Sequence, residues 1–271
     1  MPELPEVETV RAGLEPVLIG RRIGKVEVRC AQLRYPVPAD LAERLSGARV
    51  LNVKRRAKYL LIETGRGHLL VHLGMSGTVQ IVGRGDAPQK HDHVDIGIGK
   101  GQIMRFRDPR RFGAVLWIDG DPLAHKLLAH LGPEPLLDGF TGEQMWTKAR
   151  KRRAAIKVFL MDSKIVVGVG NIYASESLWR AGIHPKRAVG RVSKVRMEKL
   201  VECVREVLAE AIAQGGTTLN DFKQANGELG YFAQDLAVYG REGEPCLKCK
   251  TPIQRAVLGQ RSTFWCSGCQ G

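Results

Sequence analysis

Cys246-Leu247-Lys248-Cys249 and Cys266-Ser267-Gly268-Cys269, with sixteen residues between them, close the 271-residue chain. Two CxxC pairs at this spacing predict four thiolates around one tetrahedral zinc ion. The competing reading, two disulfides, needs an oxidising compartment. The chain shows no charged-then-apolar leader and no run of about 18 apolar residues, which points to a reducing cytosol and to zinc. With four sulfurs no coordination position stays open, so the metal is structural. Ile253–Val257 and Ser262–Trp265 read as two short strands around Leu258-Gly259-Gln260, which places Arg261 near the tip of a metal-braced hairpin. An arginine there is either solvated or a rigid phosphate contact. Cys30 and Cys203 stand alone in apolar surroundings and read as small core residues.

Upstream of the hairpin the pattern is helical. Segments near 141–152, 154–162, 171–181 and 193–214 are predicted helices, the last with Leu200, Val201, Val204, Val207, Leu208, Ala211 and Ile212 on one face. Gly215-Gly216 ends it, and a polar, glycine-containing loop at 217–230 is a candidate mobile segment. Gly132-Pro133-Glu134-Pro135 marks a domain junction, preceded by a short helix near 121–131. From Arg22 to Ile118 short Val-, Ile- and Leu-rich runs recur between glycine-containing breaks. Without intervening helices they predict an antiparallel sandwich or barrel. One long helix over 5–19 opens the chain, with Pro16 weakening its last turn. The expected divisions are 1–132, 133–236 and 237–271.

Forty-two Lys and Arg against 28 Asp and Glu give a net charge of +14. Such an excess implies a polyanionic partner, and the lack of a basic amphipathic helix favours nucleic acid over a membrane surface.

Several residues then acquire candidate roles. Removal of Met1, expected ahead of a small residue, turns Pro2 into a secondary amine. An α-amino group titrates near ~8, so it is a nucleophile at neutral pH, and Glu3 beside it is a carboxyl able to move protons. The bland alternative is a helix entrance, where proline and acidic residues are at home. Asn171, after a glycine-rich run, reads as an N-cap with free N–H groups suited to phosphate. Lys58, beside the apolar run Tyr59–Ile62, is an acid–base candidate within an otherwise phosphate-facing cluster. Met75, Arg110 and Phe112 sit in loop-like stretches from which a wedge can enter a duplex. His91-Asp92-His93 lacks a nearby third metal ligand and reads as strand edge or phosphate contact. Lys151-Arg152-Arg153 reads as a helix end, favourable to the dipole, or as a phosphate contact.

In order along the chain, PELPEVET, RRAKYLL, HLGMSG, KHDHVD, DPRRFGA, HLGPEPL, VVGVGNIYASE, GGTTL, GYFAQ, VYGREGEPC and QRSTFWC between the cysteine pairs closely resemble the bacterial formamidopyrimidine-DNA glycosylases. The related endonuclease VIII group begins PEGPE, whereas this chain begins PELPE. The resemblance implies an α+β multidomain fold: an N-terminal antiparallel β-sandwich with flanking helices, a helix–two-turn–helix domain and a four-cysteine zinc-finger β-hairpin. It implies base-excision repair of double-stranded DNA containing oxidised purines or abasic sites by a monomeric bacterial, cytoplasmic enzyme. Pro2 then attacks C1′ of the flipped nucleotide, Glu3 moves protons, Lys58 serves β-elimination, and Arg261 serves δ-elimination and phosphate binding. His91, Arg110, Arg152 and Asn171 match DNA contacts, and Met75, Arg110 and Phe112 match void fillers. Asn220 departs from the lysine of some relatives, which leaves the base-capping contacts of its loop open. Two other readings are an oxidised-pyrimidine glycosylase of the endonuclease VIII kind and a non-catalytic lesion-binding protein.

Overall fold

The computed structural model describes residues 2–215 and 236–271. Met1, the 217–230 loop and Asn220 lie outside them. The chain forms two compact units, one within Met1–Ala129 and one combining His130–Gln214 with the C-terminal stretch.

The first unit opens with α1 (Leu4–Leu18), whose buried Leu4, Val7, Val10, Leu14 and Leu18 repeat at helical spacing. Pro16 does not shorten it, because Leu18 is held in the core. Next come β1 (Val26–Val28), a short α2 (Leu41–Leu45), β2 (Val50–Arg56), β3 (Tyr59–Thr64), β4 (Gly67–His72), β5 (Thr78–Gly83), β6 (Asp92–Gly97), β7 (Gln102–Arg107) and β8 (Ala114–Ile118). They make two four-stranded antiparallel sheets, ordered β1-β6-β7-β5 and β2-β3-β4-β8. Leu60, Ile62, Leu69 and Val71 from one sheet share a core with Val94, Ile96, Met104 and Phe106 from the other, and α1 adds Val7, Val10 and Leu14. Glu8 of α1 accepts from Arg11 at 2.6 Å and from Arg55 of β2 at 2.9 Å, which pins the helix to the sheet edge. Cys30 differs from its expected core role: it is half-buried, with its thiol near the Gln32 carbonyl.

The expected helix at 121–131 is a single 3-10 turn, Pro122–Ala124, followed by turns. Leu128 is its one buried apolar side chain, too little packing to offset helix nucleation.

The second unit holds α3 (Gly142–Ala149), α4 (Ile156–Leu160), α5 (Asn171–Arg180) and α6 (Lys194–Ala213) around Phe140, Met145, Ile172, Tyr173, Leu200 and Val204. Ser193 caps α6 by accepting from the Arg196 amide. The proline-rich junction packs on this unit, with Arg205 of α6 donating to the carbonyls of Pro135, Leu137 and Phe140. The hairpin β9 (Ile253–Leu258) and β10 (Arg261–Cys266) shares a smaller core with Trp179 of α5. Glu176, buried on α5, accepts from the amides of Ala237, Val238 and Tyr239. Burial pushes its carboxyl upward while these amides pull it down.

Candidate metal centre and nucleic-acid interface

The Sγ atoms of Cys246, Cys249, Cys266 and Cys269 all lie within 4.8 Å of one another. Individual separations are 3.8 Å for Cys246–Cys269, 3.3 Å for Cys249–Cys266 and 3.4 Å for Cys249–Cys269. A disulfide bond of about 2.05 Å is absent among them. Zinc–sulfur bonds of about 2.3 Å in a tetrahedron set sulfurs about 3.8 Å apart, so the four residues fit one structural zinc ion. Among the described residues no other group of three or more His, Cys, Asp and Glu side chains gathers its ligand atoms this way, His91-Asp92-His93 included. His93 instead bonds the Asp108 carbonyl at 2.8 Å.

The hairpin tip is a two-residue turn in which Gly259 (φ +56) and Gln260 (φ +61) are both left-handed, the backbone that suits strand twist. Leu258 faces Arg261 across it, so Arg261 belongs to β10 rather than to the turn. A Cβ on Gly259 meets Val158 of α4 at 3.2 Å, so the tip lies against that helix. There Arg261, Arg152 and Lys157 line an open cavity of about 380 Å³.

Two expectations are corrected here. Helix α3 stops at Ala149, and the chain reverses through Lys151 in the left-handed region. Arg152 therefore does not sit on a helix end; its guanidinium stacks 5.4 Å above the Phe159 ring. Gly170, not Asn171, caps α5. The Asn171 side chain is drawn to the hairpin instead, donating to the Ser262 carbonyl at 2.9 Å and accepting from Lys157 Nζ at 2.6 Å. Lys157, 1% exposed, also donates to Ser262 O at 3.1 Å and Thr263 Oγ1 at 2.9 Å. Sequence reading missed it, although a lone lysine inside the apolar run Ala154–Leu160 was its signal.

In the first unit, Pro2 and Glu3 enter α1 as expected. Glu3 is 2% exposed, and its amide donates to Glu6 Oε2 at 2.7 Å. Lys58 occupies the two-residue β2–β3 turn after Ala57, whose φ is +54. Ala57 is thus a strained non-glycine residue next to the candidate acid–base lysine. His91 presents its carbonyl to the Asp108 amide at 3.0 Å. Arg110 lies 4.9 Å over the Phe112 ring, so these two wedge candidates meet, and Ser76, next to Met75, donates to Asp108 Oδ1 at 2.8 Å.

His72 packs against Tyr59 at 4.8 Å and accepts from the Gly74 amide through Nδ1. Burial, with Arg34 and Lys58 nearby, depresses it to about 4, while Asp108 opposes. The unfolded chain protonates this imidazole below about 6.5 and the fold resists until about 4, so its stability is complete above 6.5 and lost as pH falls towards 4. Urea unfolding of wild type and His72→Asn at pH 7 and pH 5 should show the wild type losing about 2 kcal/mol more than the variant over that window. Equal losses would remove His72 as the titrating group.

Among the described residues no helix is long and apolar enough to cross a membrane. Sandwich, helical unit and four-cysteine hairpin, in that order on a strongly basic chain, define a multidomain zinc protein suited to a polyanion. Family models agree along the chain: the formamidopyrimidine-DNA glycosylase N-terminal domain matches residues 1–115, its H2TH domain 131–223, and the zinc finger found in FPG and IleRS 243–271. The formamidopyrimidine-DNA glycosylases of Syntrophotalea carbinolica and Thioalkalivibrio sulfidiphilus are 56% and 57% identical to it, each pair covering 100% of both chains. MutM (Fpg) of Thermus thermophilus superposes with TM-score 0.89 at 36% identity, covering 100% of this chain and 99% of that one. Lactococcus lactis Fpg bound to abasic-site DNA superposes at 0.90 and 32%, covering 99% of each. The chain belongs to the formamidopyrimidine-DNA glycosylase family.

Proposed function

We propose that this chain is a base-excision repair enzyme, a bifunctional DNA glycosylase and abasic-site lyase for oxidised purines such as 8-oxoguanine and formamidopyrimidines. Its substrate is double-stranded DNA with the damaged nucleotide rotated out of the stack. That rotation costs a few kcal/mol, least for a weakly stacked lesion. The Pro2 amine attacks C1′, the glycosidic electron pair leaves with the base, and the sugar ring opens with a proton supplied to O4′ by Glu3. The resulting iminium acidifies C2′–H. Loss of that proton expels the 3′ phosphate, with Lys58 as the proton donor of this β-elimination, and a second elimination, served by Arg261, expels the 5′ phosphate. Water then hydrolyses the iminium and returns Pro2.

The observation that carries this reading is the buried Glu3 behind Pro2, its amide fixed by Glu6 at the start of a helix clamped to the sheet. Arg152, Arg261 and Asn171 gather around α4 and the hairpin tip, a placement suited to backbone phosphates. His91 and Arg110 are the contacts assigned to the first unit. Met75, Arg110 and Phe112 fill the space the nucleotide vacates. Three functional regions, 1–132, 133–236 and 237–271, a monomer, and the bacterial cytoplasm complete the reading; the order of the three matched family models supports the three regions, and the relatives support a bacterial source.

Borohydride reduces an iminium to a stable amine and so tests the covalent step. With 8-oxoguanine opposite cytosine, chain lacking Met1 should give a covalent protein–DNA adduct, and chain retaining Met1, whose Pro2 nitrogen is an amide, should give none. Absence of the adduct from correctly processed protein would reject the mechanism and favour a lesion-binding protein. One observation favours a wider substrate range: a neighbour at TM-score 0.91 and 34% identity is Lactococcus lactis Fpg with DNA containing an oxidised pyrimidine. A thymine glycol duplex run in parallel separates the two, and faster cleavage of it would reverse the purine assignment.

A further inference from the structure

Three stretches of the first unit carry the proposed DNA-facing side chains: His91 ahead of β6, Met75 between β4 and β5, and Arg110–Phe112 between β7 and β8. One fully buried residue touches all of them. Asp108 is 0% exposed. Its amide donates to His91 O at 3.0 Å, and its carbonyl bonds His93 Nε2 at 2.8 Å. Oδ1 accepts from Ser76 Oγ at 2.8 Å and from the Arg110 amide at 3.2 Å. Oδ2 accepts from the Gly113 amide at 2.7 Å. The loops also meet backbone to backbone, since a Cβ on Gly74 (φ +65) falls 2.5 Å from both Gly113 N and Phe112 C. Arg111, between Arg110 and Phe112, is left-handed at φ +55, which bends that loop back on itself.

We infer that Asp108 is a positioning residue that holds the Met75 loop and the Arg110–Phe112 loop as one preformed wedge. A buried carboxylate collecting three donors from two loops costs much to disrupt, because every donor it loses stays dehydrated. Its purpose in the reaction is order. Loops that stay ordered before DNA arrives need not lose conformational freedom when they enter the stack, and this lowers the barrier to extrusion. Asp108 touches no reacting atom in this scheme. The inference rests on the reading of Met75, Arg110 and Phe112 as void fillers.

A lesion in duplex DNA needs a wedge, whereas an abasic site in a single strand leaves no stack to fill. Asp108→Asn replaces one acceptor oxygen by an NH2 group, and Ser76→Ala removes the hydroxyl that donates to Asp108 Oδ1 and accepts from the Arg110 amide at 3.3 Å. Both should slow single-turnover excision from an 8-oxoguanine:cytosine duplex by roughly tenfold or more. Cleavage of a single-stranded abasic oligonucleotide should stay within about twofold of wild type, since the amine and its proton-transfer partners are untouched. A 2-aminopurine opposite the lesion should report slower wedge entry in both variants. A general folding defect would depress both substrates together, and that outcome, or unchanged duplex excision, overturns the inference. Met75→Ala and Phe112→Ala serve as controls. If they slow duplex excision and Asp108→Asn with Ser76→Ala does not, the Asp108 role fails alone; if they leave it unchanged, the void-filling reading fails and takes the inference with it.

Discussion

Glu3→Gln should reduce release of 8-oxoguanine by ~10³-fold while cleavage of a preformed abasic site falls by about tenfold at most. Glutamine keeps the shape of the side chain and leaves the Glu3 amide on Glu6, so the start of α1 stays in place. It removes the exchangeable proton needed while the sugar ring opens and the base departs. An abasic site already carries an aldehyde in equilibrium with its ring form and has no base to expel, so the amine alone suffices for entry. Single-turnover rates on the two substrates measure the split. Equal losses on both would move Glu3 from proton transfer to maintenance of the Pro2 geometry.

Removing the metal should have the other large effect. Structural zinc in small finger domains is worth about 10–16 kcal/mol of apparent binding free energy, which is largely folding free energy. Zinc-free protein, or Cys266→Ala, should lose the order of β9 and β10 and weaken binding to abasic-site DNA by about 100-fold or more. Cys266 is the informative position, since it is 0% exposed and belongs to the small core with Trp179, Ile253 and Phe264. Amide hydrogen exchange at Ser262 and Thr263 reports the local loss, and DNA titration reports its consequence. Full affinity in demonstrably zinc-free protein would take the hairpin out of DNA binding.

Legibility from sequence followed the range of the interaction. Spacing alone identified the four cysteines, because ligation restricts position as tightly as bonding does. Helix α6 was legible from its apolar stripe and glycine stop, and the sandwich strands from their length and composition. Local rules failed where tertiary contacts decide. Asn171 has the chemistry of a cap, yet Lys157 and the Ser262 carbonyl compete for its side chain and leave Gly170 as cap. Residues 121–131 have helical composition but bury little, so no packing completes the helix. Arg152 follows a helix in sequence, but the left-handed Lys151 turns it towards Phe159. Asp108 enters the sequence reading only within DPRRFGA; the convergence on it of loops 32 residues apart, as between Ser76 and Asp108, has no local signature.

Lys157 also bears on inheritance. Its ammonium group is shared between a helix and the hairpin, bonded to Asn171 on α5 and to Ser262 and Thr263 on β10. The hairpin is consequently no interchangeable cassette. A chimera given a foreign four-cysteine hairpin without a hydroxyl at position 263 would still gather zinc, but would confront a buried cation with one acceptor fewer, a penalty far larger than for an exposed lysine. Lineages that exchange the hairpin are therefore expected to exchange the residue at 157 with it, so that the two vary together despite lying 106 positions apart.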